Sequence, residues 1–390
     1  MRNCTKRIRL ELDFIMPSEN HICPTKSSCT GCGACARACP KSCINLLKNG
    51  EGFAIAQVDK AVCVDCGACL RSCPFTSKLT IKMRPQNTFA FRMNNVDERK
   101  LSASGGAFAS LAKIVLDEDG LVCSAVDDIE QGGHFILTDE PSVVSEMLGS
   151  KYYYIDLTND VIEDLIAALE EDRVVLFCGL PCQVYAVRQA TKNSSNFIGV
   201  DLLCQGAPSY QVVKTYRDEE ERKNGSKLVR HSFRNKFDNY RGYTAELVFN
   251  GGSSVRKHGD LNLYTCSFQH KLFLREACFR CPFSSSDRVG DITIGDFWGL
   301  ESFDGDSPSE VSLILCNSVV GEDLISKLHS YGKIEPHSLE EAVKGNAPLR
   351  GPVQRPLART YSFSLMKWFG FHASTIMCYP KYLIKKLICR

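Results

Sequence analysis

Residues 29–40 read CTGCGACARACP, and residues 63–74 read CVDCGACLRSCP. Each stretch has three cysteines separated by two residues, a fourth cysteine after three more residues, and then a proline. This spacing is typical of chains that bind two 4Fe-4S clusters, because three closely spaced thiolates can hold one cluster from a single loop. In such chains the fourth cysteine of each run is a ligand of the other cluster. The repeat therefore predicts two 4Fe-4S sites.

The exchange of the fourth cysteine divides the eight thiols into two groups. The first group consists of Cys29, Cys32, Cys35 and Cys73. The second group consists of Cys63, Cys66, Cys69 and Cys39. A zinc site or a disulfide framework is the alternative, but zinc favours two cysteine pairs with a long spacer over triplets followed by Cys-Pro. We therefore expect an α+β ferredoxin-like two-cluster domain over residues 23–80.

The length and composition of the chain limit what else it contains. At 390 residues it is too long for a ferredoxin-like domain alone, and two or three domains are expected. Lys and Arg number 47 against 45 Asp and Glu, so the charge gives no reason to expect nucleic-acid binding. The chain has 21 cysteines, and its charged segment 1–13 lacks the apolar core of a secretion signal. This combination favours metal or redox chemistry in the cytoplasm over disulfide bonds.

The C-terminal stretch is apolar, but it is not predicted to cross a membrane. The sequence has no run of about 18 apolar residues, which a transmembrane helix would need. Residues 361–390 are apolar and end with a group of cations: Lys381, Lys385, Lys386 and Arg390. Such a tail could lie on a membrane surface. Because Pro380 interrupts the helical periodicity, we instead expect residues 346–390 to form a mostly helical tail that packs on the core.

The middle of the chain alternates predicted strands and helices. It follows an extension at 1–22, the ferredoxin-like unit and a basic linker that ends at Pro85. A helix is expected to start at Gly105-Gly106, capped by Ser102–Ser104. Buried strands at 173–177 and 197–203 are each followed by a loop and a helix, which is typical of a parallel sheet. We therefore predict an α/β domain over residues 85–345.

Five further cysteines lie where such a sheet would bring them together. Cys178 and Cys182 follow the strand at 173–177, and Cys204 ends the next strand. Because the carboxyl ends of adjacent parallel strands line one crevice, Cys182 and Cys204 should face it together. The pair Cys278 and Cys281, in a C-x-x-C-P segment, would complete four thiolates. This set indicates a third 4Fe-4S cluster, with zinc or buried structural thiols as the alternatives.

The remaining eight cysteines show no partner pattern, and we expect them to be ordinary packing residues. They are Cys4, Cys23, Cys43, Cys123, Cys266, Cys316, Cys378 and Cys389.

Shorter motifs follow the cysteine repeats in a fixed order. They are SGGAF at 104–108, GSKY at 149–152, CGLPCQ at 178–183, LCQGAPS at 203–209, CFRCPF at 278–283 and DITIGDFWG at 291–299. The combination resembles the coenzyme F(420) hydrogenase/dehydrogenase beta-subunit family over about residues 23–300. The resemblance implies that residues 85–345 form a flavin and iron–sulfur domain. Its bound FAD would exchange electrons with iron–sulfur clusters, and hydride with a deazaflavin or another organic acceptor.

The resemblance also bears on the third cluster. By position in the family motifs, it implies four ligands: Cys182, Cys204, Cys278 and Cys281. Family members commonly lack a cysteine at the position of Cys178, which leaves that thiol as a spare. Nothing in the sequence marks a deazaflavin pocket.

The flavin site has to be inferred from scattered residues, because no G-x-G-x-x-G motif follows a predicted strand. An FAD pyrophosphate needs backbone N–H groups and a cation. The helix start at Ser104, Gly105 and Gly106 offers the first, and Lys151 offers the second unless it is a surface lysine. Three more residues lie at a predicted strand end: Asp291, Asp296 and Trp298. They would hold the flavin site together or close over the flavin ring. A structural turn is the equal alternative.

These features predict an oxidoreductase that relays electrons from the ferredoxin-type clusters through a third cluster to FAD, for hydride exchange with an organic substrate. The expected partners are an electron donor or acceptor protein such as ferredoxin and a small organic substrate. The alternative is an electron-transfer subunit without its own substrate that feeds a partner enzyme. A scaffold with purely structural clusters is a weaker third alternative. Flavin content separates the first two, and redox activity of the clusters separates the third.

Overall fold

The computed structural model describes residues 28–76, 82–236, 244–305 and 310–388. The predicted extension at 1–22 and part of the linker before Pro85 lie outside the described residues, as do Cys4, Cys23, Cys389 and Arg390.

The helices of the described residues are α1 (Ala34–Arg37), α2 (Ala68–Ser72), α3 (Val96–Leu101), α4 (Ala107–Asp117), α5 (Pro141–Met147), α6 (Asn159–Glu170), α7 (Pro181–Ala190), α8 (Tyr210–Asn224), α9 (Leu263–Gln269), α10 (Val319–Lys327), α11 (Leu339–Gly345), α12 (Arg359–Cys378) and α13 (Lys381–Ile388). The strands are β1 (Ile44–Lys48), β2 (Ala54–Val58), β3 (Asn87–Met93), β4 (Leu121–Val126), β5 (His134–Thr138), β6 (Val175–Gly179), β7 (Phe197–Leu202), β8 (Leu228–Asn235), β9 (Thr244–Phe249), β10 (Ser254–His258), β11 (Ile292–Asp296), β12 (Ser312–Cys316) and β13 (Gly332–His337).

The N-terminal unit contains one hairpin and two short helices. Strands β1 and β2 pair antiparallel, with Ile44 opposite Val58. Helices α1 and α2 each begin inside a cysteine run, after a glycine with positive φ: Gly33 at 84° and Gly67 at 68°. Glycine adopts this left-handed conformation without a steric penalty, so each cysteine loop can turn directly into a helix.

An eight-stranded sheet forms the centre of the rest of the chain, in the order β13-β3-β12-β11-β7-β6-β4-β5. Strands β4, β6, β7 and β11 are parallel, and the outer strands pair antiparallel. The parallel strands predicted from the sequence therefore form the middle of a mixed sheet.

Helices cover both faces of this sheet, which explains why its central strands are continuously apolar. In β6, Leu176 and Cys178 face one core, which includes Leu111 of α4 and Leu324 of α10. Phe177 of the same strand faces a second core, together with residues of α6 and α7. The result is a three-layer arrangement in which the carboxyl ends of the parallel strands remain accessible at one edge.

The start of α4 differs from the expectation. Its N-cap is Gly106, with φ of 89°, and no side chain caps it. Ser104 Oγ instead donates to the Val311 carbonyl at 2.8 Å, and the Gly105 N–H donates to Ser312 Oγ at 2.9 Å. The predicted cap by Ser102–Ser104 is therefore wrong. These bonds hold the helix start against β12 and leave its first N–H groups without a side-chain acceptor.

Helix α12 packs on α8 and α9, whereas α13 packs on α12 and on residues Gly259–Leu261. Helix α12 is kinked at Gly370, whose φ is 79°. Glu219 of α8 accepts the backbone N–H groups that follow the kink, those of Phe371 at 2.5 Å and His372 at 2.9 Å. None of the described helices is both long enough and apolar enough to pass through a lipid bilayer.

Candidate functional site

The thiols of the first predicted group are close neighbours. Burial, together with the nearby thiols of Cys29 and Cys73, raises the pKa of the Cys32 thiol to about 11. Burial also raises the pKa of Cys35, with added repulsion from the other three thiols of the group. The Gly31 N–H donates to Cys29 Sγ at 3.3 Å. Because buried thiolates repel one another unless a cation lies between them, this set fits an iron cluster.

The second group lines a cavity of about 60 Å³. Its four thiols are all present there: Cys39, Cys63, Cys66 and Cys69. Cys43 lines the same cavity, and its Sγ lies 3.3 Å from that of Cys39. Cys43 is buried beside Ile44, as expected of a packing residue, and it also adds a fifth thiol to this site.

We expect Cys39→Ser to retain the iron of this second site, because Cys43 can supply the missing thiolate. Cys43→Ser alone should also have little effect, whereas the double variant should lose about four iron atoms per chain. Anaerobic iron and sulfide analysis of the three variants measures this. If Cys39→Ser loses as much iron as the double variant, Cys43 does not substitute.

The third predicted group gathers from three separate segments. Cys182 lies at the start of α7, Cys204 follows β7, and Cys278 and Cys281 belong to a segment after α9. Burial raises the pKa of Cys182 well above its usual range, and the thiols of Cys32, Cys281, Cys204 and Cys278 add to this. Cys182 therefore borders both its own group and Cys32 of the first group. Burial also raises the pKa of Cys204 to about 12.

No group of three or more His, Cys, Asp or Glu side chains among the described residues is arranged to hold a single metal ion.

Cys178 stands apart from these groups. It is buried in β6, and the charged groups that act on its thiol are Asp201 and Lys151 rather than the four thiols of the third group. Burial raises its pKa to about 12.

A buried ion pair fastens the loops of the third group to each other. The side chains of Arg288 and Asp201 are 1% and 0% exposed, and Arg288 Nη2 lies 2.6 Å from Asp201 Oδ1. The other carboxylate oxygen accepts the N–H groups of Val289 and Gly290, at 3.1 and 2.8 Å. Arg288 also donates to the carbonyl of Phe283, at 3.2 Å. Asp201 precedes Cys204 by three residues, so this pair joins the Cys204 loop to the segment after Cys281.

Arg275 lies between the first and third groups. Its Nη1 donates to the carbonyls of Cys29, at 3.3 Å, and Ala54, at 2.7 Å. Its guanidinium carbon lies 4.6 Å from the ring centre of Phe53 and 4.5 Å from that of Tyr154. Burial raises the pKa of Tyr154 well above its usual range, and the nearby Cys182 thiol raises it further. This cation therefore joins the dicluster unit to the segment that contains Tyr154, which follows α5.

A pocket of about 600 Å³ opens at the carboxyl ends of β4, β6, β7 and β11. Its volume lies within the range of about 300–1,000 Å³ that is usual for ligand pockets. Five of the six residues predicted to bind flavin line it: Ser104, Gly106, Lys151, Asp296 and Trp298. Gly105 does not line it, and its position against β3 and β12 is structural. Cys204 of the third group lines the pocket, as does Cys178.

Lys151 is half-buried, with its ammonium bound to the chain, rather than a fully exposed surface lysine, which was the alternative. Its ammonium donates to three carbonyls at the end of α5, those of Glu146, Met147 and Leu148, at 3.2, 2.6 and 3.0 Å. Burial lowers its pKa to about 8. Lys151 therefore places a positive charge at the pocket, but its hydrogen bonds are already used within the chain.

The three residues predicted at a strand end take different positions. Asp296 accepts from Arg234 Nη1 at 2.7 Å, and Trp298 is 43% exposed at the rim of the pocket. Asp291 lies at the other end of β11, where it pairs with Arg188 and accepts the Gly199 N–H at 2.8 Å. For Asp291 this position agrees with the structural alternative, because the length of β11 lies between this residue and the pocket.

Some lining residues were not found from the sequence. Arg234 comes from β8, and Phe268 and Lys271 come from α9 and the residues after it. Lys271 donates to Gln205 Oε1 at 2.7 Å, and burial lowers its pKa to about 8. Of Arg234, Phe268, Lys271 and Gln205, Gln205 alone belongs to one of the sequence motifs, LCQGAPS.

Comparison with known proteins agrees with the motifs. Residues 172–342 match the family described as the C terminus of the coenzyme F(420) hydrogenase/dehydrogenase beta subunit, and residues 28–77 match a 4Fe-4S dicluster domain. Among solved structures, one similar chain belongs to the F(420)-reducing NiFe hydrogenase complex from Methanosarcina barkeri, with a TM-score of 0.46 and 18% identity over 67% of this chain and 85% of that chain. No curated protein matches this chain.

These two family matches confirm the resemblance inferred from the motifs. The chain therefore contains the domain described as the C terminus of the coenzyme F(420) hydrogenase/dehydrogenase beta subunit, at residues 172–342, and an N-terminal 4Fe-4S dicluster domain, at residues 28–77.

Proposed function

We propose that the chain is an oxidoreductase that binds FAD in the 600 Å³ pocket and a third 4Fe-4S cluster at its third thiol group. One observation carries this proposal. Cys204 lines the pocket and belongs to the same thiol group as Cys182, whose thiol borders Cys32 of the dicluster domain. When bound, FAD would collect electrons delivered singly by the clusters and exchange them in pairs, as hydride, with a small organic substrate.

The start of α4 would hold the pyrophosphate of FAD. Gly106, Ala107 and Phe108 line the pocket, and no side chain caps the 11-residue helix. Uncapped N–H groups and the helix dipole favour an anion at this position. Lys151 would add positive charge near the pyrophosphate without donating a hydrogen bond to it, because its ammonium already donates to three backbone carbonyls.

The rest of the pocket suits a flat, largely apolar ring. Phe135, Leu203, Ile294 and Phe268 line it, and polar groups are supplied by Gln183, Gln205 and the Arg234–Asp296 pair. Such a lining excludes water around a reacting ring and fixes its orientation by a few polar contacts. Trp298 lines the pocket and is partly exposed, and the organic substrate would enter beside it.

Cofactor analysis of anaerobically purified protein tests the proposal. We expect about twelve iron and twelve sulfide per chain, as three cubic clusters require. Denatured protein should release FAD, and dithionite or reduced ferredoxin should bleach the bound flavin. Cys204→Ser and Cys182→Ser should each lose about four iron atoms and slow flavin reduction. The matched control is Cys178→Ser, which alters a cysteine in the same pocket and should keep its iron.

Two results would contradict the proposal. An iron content near eight atoms per chain in the unaltered protein would mean that it binds two clusters and not three. A flavin-free protein that resists FAD reconstitution, yet carries full iron and transfers electrons, would favour an electron-transfer subunit that feeds a partner enzyme.

A further inference from the structure

We propose that helix α13 lies on the surface of a lipid bilayer that carries anionic headgroups, and so brings the protein to a membrane. This inference does not depend on the identity of the pocket ligand.

Helix α13 turns its apolar side away from the protein. Tyr382 is 4% exposed, and its hydroxyl donates to the Leu261 carbonyl at 3.2 Å, so this side of the helix faces the core. Leu383, Ile384 and Leu387 are 47%, 59% and 71% exposed. With 3.6 residues per turn, these three positions span an arc of about 100° roughly opposite Tyr382. A helix packed on a core normally exposes its polar side.

Lysines flank the exposed apolar arc. Lys381 and Lys386 are exposed, and on the same helical wheel they fall on opposite sides of the arc. An apolar face bordered by lysines is typical of helices that lie in the interface of an anionic membrane. On α12, directly before its kink, Trp368 is 79% exposed, and Trp is enriched at membrane interfaces.

The charge of this end of the chain also favours an anionic membrane as the partner of α13. No Asp or Glu follows Glu341, whereas residues 346–390 contain eight Lys and Arg. The whole chain has a net charge of only +2, so this positive charge is concentrated at one end. Each lysine close to an anionic leaflet raises partitioning by a factor of about five.

Two other considerations favour a membrane. Pro380 does not interrupt the amphipathic pattern, because it lies between α12 and α13, directly before the first residue of α13, where proline is tolerated. The expectation that Pro380 disfavours contact with a membrane therefore loses its basis.

A second copy of the chain is a less suitable partner for this face than a membrane. A symmetric contact would bring the same lysines together without an acidic residue from this segment to balance them.

Sedimentation with vesicles tests the proposal on the full-length protein with its cofactors, purified anaerobically. Vesicles of phosphatidylcholine and phosphatidylglycerol in equal parts should bind at least about tenfold more protein than vesicles of phosphatidylcholine alone, and added salt should reduce the difference. The double variant Lys381→Glu/Lys386→Glu should reduce binding to the anionic vesicles about 25-fold or more. Leu387→Asp should reduce it at least about tenfold.

Matched controls are Lys192→Glu and Val229→Asp, which alter an exposed lysine and a valine that is 49% exposed on other surfaces. Both should bind vesicles as the unaltered protein does, and all variants should keep their iron content. Equal binding to neutral and anionic vesicles, or binding that the lysine variants do not change, would overturn the proposal. A dimer in size-exclusion chromatography that Leu387→Asp dissociates, without vesicle binding, would assign this face to a second copy instead.

Discussion

Replacing Arg288 by methionine should lower the free energy of unfolding by about 3–5 kcal/mol, because it leaves a buried carboxylate without its cation. Both side chains of the Arg288–Asp201 pair are at most 1% exposed. The same substitution removes the donor to the Phe283 carbonyl, so the segment after Cys281 should shift relative to the Cys204 loop. We therefore also expect Arg288→Met to lose about four iron atoms per chain, those of the third group.

Anaerobic urea denaturation followed by circular dichroism, with iron analysis of the same samples, measures both effects. Arg173→Met is the matched control, because Arg173 pairs with Asp139 at the surface, where their side chains are 36% and 58% exposed. It should change stability by less than about 1 kcal/mol. The double variant Arg288→Met/Asp201→Leu should recover part of the loss, since it no longer buries a single charge. If Arg288→Met left the midpoint of urea denaturation and the iron content unchanged, the Arg288–Asp201 pair would not hold the Cys204 loop to the segment after Cys281.

Replacing Gly105 by alanine should lower the free energy of unfolding by at least about 1–3 kcal/mol. The same substitution should weaken the proposed binding of FAD. A Cβ atom at this position would lie 2.2 Å from the Phe91 carbonyl oxygen and 2.5 Å from the Ser312 nitrogen. Both are backbone atoms of paired strands, so the start of α4 has to move instead. Because the N–H groups that follow Gly106 are the ones proposed to hold the pyrophosphate, we expect at least about a tenfold loss of FAD affinity.

The loss of FAD is measured by ultrafiltration and flavin fluorescence of the filtrate, with iron analysis alongside. Gly50→Ala is the matched control, since a Cβ there meets no atom within 4 Å. Iron content should stay unchanged in both variants. If Gly105→Ala retains FAD as tightly as the unaltered protein, the start of α4 is not part of the flavin site.

Features that depend on short-range spacing were predictable from the order of amino acids. The two cysteine runs predicted the dicluster domain because three ligands come from one loop and the fourth comes from a fixed later position. The continuous apolar runs of β6 and β7 predicted buried parallel strands. The order of motifs then identified the family.

Contacts between distant segments became visible only in the folded chain. Strand β3 pairs with β12 and β13, more than 200 residues later, and no local pattern encodes such a partner. The same holds for Arg288 with Asp201 and for Arg234 and Lys271 at the pocket, because each is an ordinary cation until its neighbours are known. Lys151 was found from its motif, but the three carbonyls that occupy its ammonium could not be inferred from that motif.

The C-terminal helix shows the same limit. Periodicity in the sequence gives an apolar and a basic side of α13, but burial of Tyr382 decides which side faces the core. Helical spacing is a property of neighbouring residues, whereas the orientation of a helix depends on contacts with residues such as Leu261, about 120 positions earlier.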